Sequence, residues 1–189
     1  MRLNQEDAAL VKRCLAREPG AVETLVDTYS NQVYAVCLRY LRHAQDAEDI
    51  TQETLVRAIR NLHQWDPERP LKPWLYRIAV NRCKTLLARK PLNTVAPEVL
   101  QATTCTRTHD GDGDELLENI HLALLQVRDD YRSAFLLFHE QGCSYEEIAE
   151  IHEHPVGTIK TWLYRTRGVV FAYLKEKELL PADMDRPNA

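Results

Sequence analysis

No stretch of the chain approaches the ~18 consecutive apolar residues that a membrane-spanning helix needs. The N-terminal MRLNQEDAALVKR likewise lacks the apolar segment and cleavage pattern of a secretory signal. Together these absences give an expectation of no membrane insertion and a cytoplasmic location. The five cysteines, Cys14, Cys37, Cys83, Cys105 and Cys143, are scattered without a CxxC pair. That spacing argues against a finger-type metal site and for reduced, buried thiols. A Gly-rich phosphate loop, GxSxG and HExxH are all missing. A hydrolase built on Cys143, His139, His152 and His154 would need side chains that converge, yet His152 and His154 are two apart and diverge on a helix. The acidic run DGDGDE at 110–115 resembles part of a calcium loop but lacks the bidentate glutamate at the required downstream position. No catalytic residue, metal or cofactor is expected.

What is present is an ordinary globular composition with an uneven charge. The 189 residues are 44% hydrophobic and 28% charged, enough for one domain or two small ones. The formal net charge of −4 conceals segregation along the chain. Residues 1–90 hold 15 Lys+Arg against 11 Asp+Glu, residues 91–118 hold 1 against 6, and residues 119–189 hold 8 against 11. Local excess, and not net charge, governs steering and counterion release on a polyanion.

The stretch CSYEEIAEIHEHPVGTIKTWLYRTRGVVFAYL, Cys143 to Leu174, reads as a helix-turn-helix. Ser144 with Glu147 three residues later forms a capping box. His152-Glu153-His154 supplies the turn and Pro155 suits the opening of a second helix. Val156, Ile159, Leu163, Val170 and Leu174 make one apolar stripe on that helix. Thr158, Thr161, Trp162 and Arg165 lie at i, i+3, i+4 and i+7, flanked by Lys160, Tyr164 and Arg167. Between Pro155 and Lys175 there are four cations and no carboxylate. Such a face suits phosphates and base edges in a major groove, and its bland alternative is the solvated side of a helical hairpin. Trp162 is expected to be partly exposed, either packing back on Tyr145 or touching a thymine methyl.

Upstream, a helix over about 5–17 ends at Pro19-Gly20, and a second runs to about His43 with a wide apolar stripe. A third opens at Asp46 as its own cap and carries Ala47, Ile50, Leu55, Ala58 and Leu62 inward. Its outward side holds Asp46, Glu48, Asp49 and Glu53 without a cation between His43 and Val56, which the helix dipole explains in part. The Pro-punctuated NLHQWDPERPLKP follows, then a helix from Trp74 to about Lys90. From Arg69 to Lys90 there are seven cations and no carboxylate, next to Trp65, Trp74 and Tyr76. Aromatics beside cations suit a single strand, whose bases stack at ~1–3 kcal/mol each. Core packing is the equal alternative for each tryptophan. Residues 91–115 lose periodicity and read as an acidic linker, and two further helices, about 116–127 and 131–141, precede the helix-turn-helix.

In this order, DAEDITQETLVRAIRNL, PERPLKPWLYRIAVNRCK and SYEEIAEIHEHPVGTIKTWLYRTR resemble regions two-point-two, two-point-three with two-point-four, and four-point-two of the extracytoplasmic-function sigma factors of the bacterial sigma-seventy family. The resemblance implies an all-α protein of two small helical domains joined by a flexible linker: a region-two-like bundle at 1–90, a linker at 91–115, a region-four-like domain at 116–180 and a tail at 181–189. It implies an alternative sigma factor that binds core RNA polymerase and promoter DNA without catalysis of its own. Asp46, Asp49, Gln52 and Glu53 would meet the clamp coiled coil of the beta-prime subunit, with the beta flap as a second polymerase contact. Asn61, Trp65, Lys72, Trp74, Arg77, Asn81, Arg82 and Lys84 would take the minus-ten element, and Ser144, Tyr145, Thr158, Lys160, Thr161, Trp162, Tyr164, Arg165 and Arg167 the minus-thirty-five element. Many members have an anti-sigma factor as a further partner. The competing reading is a helix-turn-helix regulator that binds an operator without recruiting polymerase, and it leaves residues 1–90 without a role.

Overall fold

The computed structural model describes residues 2–89 and 112–180, and among these there are eight α-helices and no strand. The linker expected from residue 91 lies outside the described residues as far as Gly111, as do Cys105 and the tail at 181–189. Two compact units emerge, the first carrying α1–α4 and the second α5–α8, apart from Glu150–His152, which the division leaves with the first. No helix among the described residues is long and apolar enough to cross a membrane.

The first unit comprises α1 (Arg2–Leu15), α2 (Ala21–Leu41), α3 (Ala44–Asn61) and α4 (Leu71–Arg89), with a single 3-10 turn at Leu62–Gln64. Helix α2 packs against α1, α3 and α4, because its apolar positions are broad enough to serve three neighbours. Leu25, Val33 and Cys37 on α2 are fully enclosed, as are Ala47 and Ala58 on α3 and Leu75, Tyr76, Ala79 and Cys83 on α4. Each large apolar side chain enclosed this way stabilises by roughly 1.5–3 kcal/mol. The Cys37 and Cys83 thiols hydrogen-bond across the α2–α4 contact, and that bond together with burial keeps Cys83 protonated far above the usual thiol range.

In the first unit several boundaries differ from those read from sequence. Helix α1 ends at Leu15, four residues before Pro19, because Arg17 adopts left-handed backbone with φ 56°. Helix α3 is capped by His43, whose Nδ1 accepts from the Asp46 N–H at 3.2 Å, so Asp46 is the receiver of the cap. Helix α4 opens at Leu71 and contains Pro73, which is tolerated in the first turn where its absent N–H has no partner to lose. The start of α4 is held from outside: Asp7 Oδ2 accepts from the Leu71 N–H at 3.4 Å, while Asp7 Oδ1 accepts from the Tyr29 hydroxyl. One carboxylate on α1 thereby ties α2 to the entry of α4.

In the second unit, α8 (Val156–Glu176) is the spine, covered by α5 (Asp112–Leu124) and α6 (Asp129–His139), with α7 (Tyr145–His152) preceding it. Helix α5 begins four residues before the position read from sequence. Ala123, Leu124, Leu136, Val170 and Leu174 form the centre, with Ile120, Val127, Phe135 and Tyr173 packed against them. The capping box is as read: Ser144 Oγ accepts from the Glu147 N–H at 3.1 Å and the Ser144 N–H donates to Glu147 Oε2 at 2.7 Å. Glu153, at φ 59°, terminates α7 in left-handed backbone, and Pro155 is the N-cap of α8. His152 is therefore the last residue of α7 and not part of the turn.

Burial, and then the bond to Asp7, holds the Tyr29 phenol well above its ordinary range. Folding keeps that phenol protonated, so its contribution is complete below the unfolded value of about 10 and is lost as the pH rises past it. Asp7→Ala leaves a buried hydroxyl without its acceptor and should lower the stability of the chain by ~1–3 kcal/mol in urea denaturation. Unchanged stability would show that Asp7 is a surface contact only.

Candidate polymerase and nucleic-acid interfaces

On α3 the expected acidic face is only partly open. Asp49 and Gln52 are exposed, one helical turn apart. Asp46 is half-buried against His43, 3.2 Å between Oδ2 and Nδ1. Glu53 is engaged twice, accepting from Arg57 Nε at 3.0 Å and from Arg82 Nη2 at 2.8 Å. Its carboxyl is pushed up by burial but held below the ordinary glutamate range by these two guanidiniums. Sequence reasoning passed over Val56, an apolar side chain 46% exposed four residues beyond Gln52 on the same side. An alternating count of apolar residues could have flagged it, since it falls outside the inward stripe of α3.

The basic surface is organised by α4. Trp74, Arg77, Asn81 and Lys84, at i, i+3, i+7 and i+10, share one side of that helix; Arg77 and Asn81 are exposed, Trp74 and Lys84 half-buried. Lys72 sits with its ammonium 5.6 Å from the centre of the Tyr76 ring. Asn61 is turned toward its own helix, its side-chain amide donating to the Arg57 carbonyl at 2.8 Å. Two aromatics are corrections. Trp65 is only 6% exposed and Tyr76 is fully enclosed, so both belong to the core of the first unit. The cause is local for Trp65: in a 3-10 turn residues three apart eclipse, so Trp65 follows Leu62 inward, and its backbone N–H donates to the Leu62 carbonyl at 3.1 Å. Trp74 is the tryptophan of this unit that keeps an accessible face. Arg82 also differs from the open cation expected, its side chain being 19% exposed and paired with Glu53.

In the helix-turn-helix, Trp162 is a third correction. It is buried, 7% exposed, and stacks on Tyr131 of α6 at 5.1 Å and 24°, with His154 edge-on at 4.9 Å. The inward stripe of α8 is Ile159, Trp162, Leu163, Thr166, Val170 and Leu174, one position wider than the apolar residues alone suggest. The outward stripe shifts accordingly to Lys160, Thr161, Tyr164 and Arg165, all exposed, Tyr164 by 56%. Thr158 is half-buried at its border. Tyr145 stacks on Phe138 at 4.9 Å, with the Lys160 ammonium 5.7 Å over its ring, and Arg167 lies 5.5 Å over Phe138. Ser144 is occupied by its capping role. Tyr131 was not singled out from sequence: its hydroxyl accepts from Arg165 Nη1 at 3.4 Å, and Arg128 lies 5.7 Å over its ring. These contacts link α6 to α8 across 34 residues of chain, beyond any helical periodicity.

No group of three or more His, Cys, Asp and Glu side chains able to hold a metal occurs among the described residues. His139 lies 4.3 Å from Phe135, and burial followed by the Arg167 charge lowers its pKa. His154 rests on Trp162, and Cys143 is buried. An outward helix side carrying cations, hydroxyls and an aromatic, with no carboxylate, has the shape and charge for a major groove.

Comparison with known proteins agrees with that chemistry. Residues 25–91 match Sigma-70 region 2 and residues 117–168 match Sigma-70, region 4. The chain is 32% identical to the ECF RNA polymerase sigma-E factor of Haemophilus influenzae over 176 residues, covering 87% of this chain and 93% of that one. The chain belongs to the ECF group of sigma-70 factors. It is 31% identical to the ECF RNA polymerase sigma factor SigW of Bacillus subtilis, over 88% of this chain and 95% of that one. The sigma factor RpoE of Bartonella quintana, solved in complex with the anti-sigma factor NepR, shares the fold with a TM-score of 0.67 at 23% identity, over 82% of this chain and 98% of that one. The protein is thus an alternative sigma factor, and members of its family bind core RNA polymerase and promoter DNA in initiating transcription.

For this sigma factor the stacking of Trp162 decides between packing and base contact. Trp162→Ala should lower stability by ~3–5 kcal/mol, the usual cost of deleting a buried large aromatic. It should weaken upstream-element binding uniformly across sequences. A preserved melting temperature with altered preference at one or two base pairs would mean that the indole reads DNA instead.

Proposed function

We propose that the region-two unit, residues 1–90, docks core polymerase through Asp49, Gln52 and Val56 of α3. The partner surface would be the clamp coiled coil of the beta-prime subunit. Asp46 and Glu53 border this patch and lend it negative potential. The side of α4 formed by Trp74, Arg77, Asn81 and Lys84, with Lys72 and Asn61 near its entry, takes the non-template strand of the minus-ten element. Trp74 stacks on an unpaired base while the cations hold phosphates, an arrangement that offsets the few kcal/mol required to unstack a base. In the region-four unit, residues 116–180, Lys160, Thr161, Tyr164 and Arg165 enter the major groove of the minus-thirty-five element. Arg167 and Thr158 reach its edges, and the beta flap is the second polymerase contact. The observation that carries this reading is the pairing of an acidic α3 with a carboxylate-free α4 in one unit and a cationic recognition helix in the other. No chemical step is assigned to the chain, no cofactor enters, and its place of action is the cytoplasm, where core polymerase resides. By likeness to the RpoE–NepR complex, an anti-sigma factor is a further expected partner.

Run-off transcription with core polymerase on a genomic fragment library tests the whole reading, with polymerase-dependent initiation as the expected result. DNA binding by the free chain that is tight, specific and indifferent to polymerase would favour an operator-binding regulator. Asp49→Lys should weaken binding to core polymerase roughly tenfold, equivalent to about 1.4 kcal/mol. Its helicity should not change, because the site is exposed. Lys84→Ala should diminish permanganate-reactive open template once the complex has formed, whereas Arg165→Ala should diminish complex formation itself. Identical footprints for both variants would refute the division between units.

A further inference from the structure

Glu53 stands where the two proposed surfaces of the first unit meet. Its Oε1 accepts from Arg57 Nε and Nη2, each at 3.0 Å, and its Oε2 from Arg82 Nη2 at 2.8 Å. Two guanidiniums from different helices therefore converge on a single oxyanion, one from α3 and one from α4, 29 residues away. Arg82 Nε is buried and has no hydrogen-bond partner, so this guanidinium is not saturated by Glu53. Arg82 directly follows Asn81 and stands two residues before Lys84 on the α4 surface. To a guanidinium, a carboxylate and a DNA phosphodiester present the same feature, two anionic oxygens at bidentate spacing.

We propose that Arg57 and Arg82 form a phosphodiester subsite for single-stranded DNA, and that Glu53 is its built-in occupant. In the free chain the carboxylate fills the subsite. When a basic surface of core polymerase takes Glu53, Arg82 is released toward the strand held by α4. The inference rests on the reading that α3 meets the polymerase, and it adds what that contact does to the neighbouring DNA surface. The pair is partly exposed, its side chains 19% and 36% accessible, so water and salt weaken it, which suits a contact that has to be exchanged. On this arrangement the cations are present from the start but satisfied internally until polymerase engages Glu53.

The test is fluorescence anisotropy of a labelled single strand of about 20 nucleotides with the full-length chain at low salt. Glu53→Gln keeps the shape of the side chain and removes its charge. It should bind the strand roughly three- to tenfold more tightly than wild type, with a salt dependence steeper by about 0.7 for each phosphate gained. The gain should vanish in Glu53→Gln combined with Arg82→Gln. Asp49→Asn removes the same charge one turn away and should give a clearly smaller gain. Saturating core polymerase should bring wild type and Glu53→Gln to equal strand affinity. An unchanged affinity for Glu53→Gln, an equal gain from Asp49→Asn, or a gain that survives loss of Arg82 would each overturn the proposal. Circular dichroism of each variant separates a lost contact from a lost fold. Failure of the wild type in run-off transcription would strike the polymerase reading and the release step that rests on it, whereas the anisotropy of the free chain tests the occupancy of the subsite by Glu53 independently.

Discussion

Each unit depends on one long helix whose apolar stripe must be covered on several sides at once. In proteins most helical stability comes from packing of the apolar side and little from propensity, so α2 and α8 persist because other helices enclose Leu25, Val33 and Cys37 in one case and Leu163, Val170 and Leu174 in the other. Which side of every neighbour turns inward follows from that demand, and the functional surfaces are the sides left over. The α4 side bearing Trp74, Arg77, Asn81 and Lys84 is outward because Leu75, Tyr76, Ala79 and Cys83 are required inside. Asp7 reinforces this by fixing the α4 entry through Leu71. Orientation of the proposed DNA surface is thus a by-product of core packing, held by a carboxylate three helices upstream.

Electrostatics in this sigma factor act locally. A net charge of −4 is an unfavourable total for a protein that works on DNA, yet the carboxylates of α3 and the cations of α4 occupy different sides of adjoining helices. Glu53 and Arg82 meet directly where those sides adjoin. The first unit therefore carries two opposed potentials, one suited to a basic protein surface and one to a nucleic acid, with an ion pair at the seam. Ions farther apart than about a Debye length are screened from one another at physiological salt, so the two surfaces can address different partners from one small bundle.

Aromatic residues were the chief source of difference between sequence and structure. Trp65, Tyr76 and Trp162 all stand near cations in the chain, and all are enclosed in the fold. Trp74 alone among the tryptophans retains an accessible side. A large ring is drawn to burial by its area and to an aromatic partner by its quadrupole. For Trp162 that partner is Tyr131, which no spacing along α8 announces.

Local rules in the sequence were sufficient for the all-helical class, the order of the helices, the Ser144–Glu147 capping box and the separation of acidic from basic stretches, because each depends on residues within about one or two helical turns. The family was legible for a related reason: three short segments in a characteristic order carry it. Tertiary structure alone decided that Arg82 is paired with Glu53, since that contact joins residues from two helices that meet only after packing. It also decided that α8 turns Tyr164 and Arg165 outward with Trp162 inward. A helix wheel leaves a border residue such as position 162 free to face either way, and the stacking surface that α6 offers settles the choice.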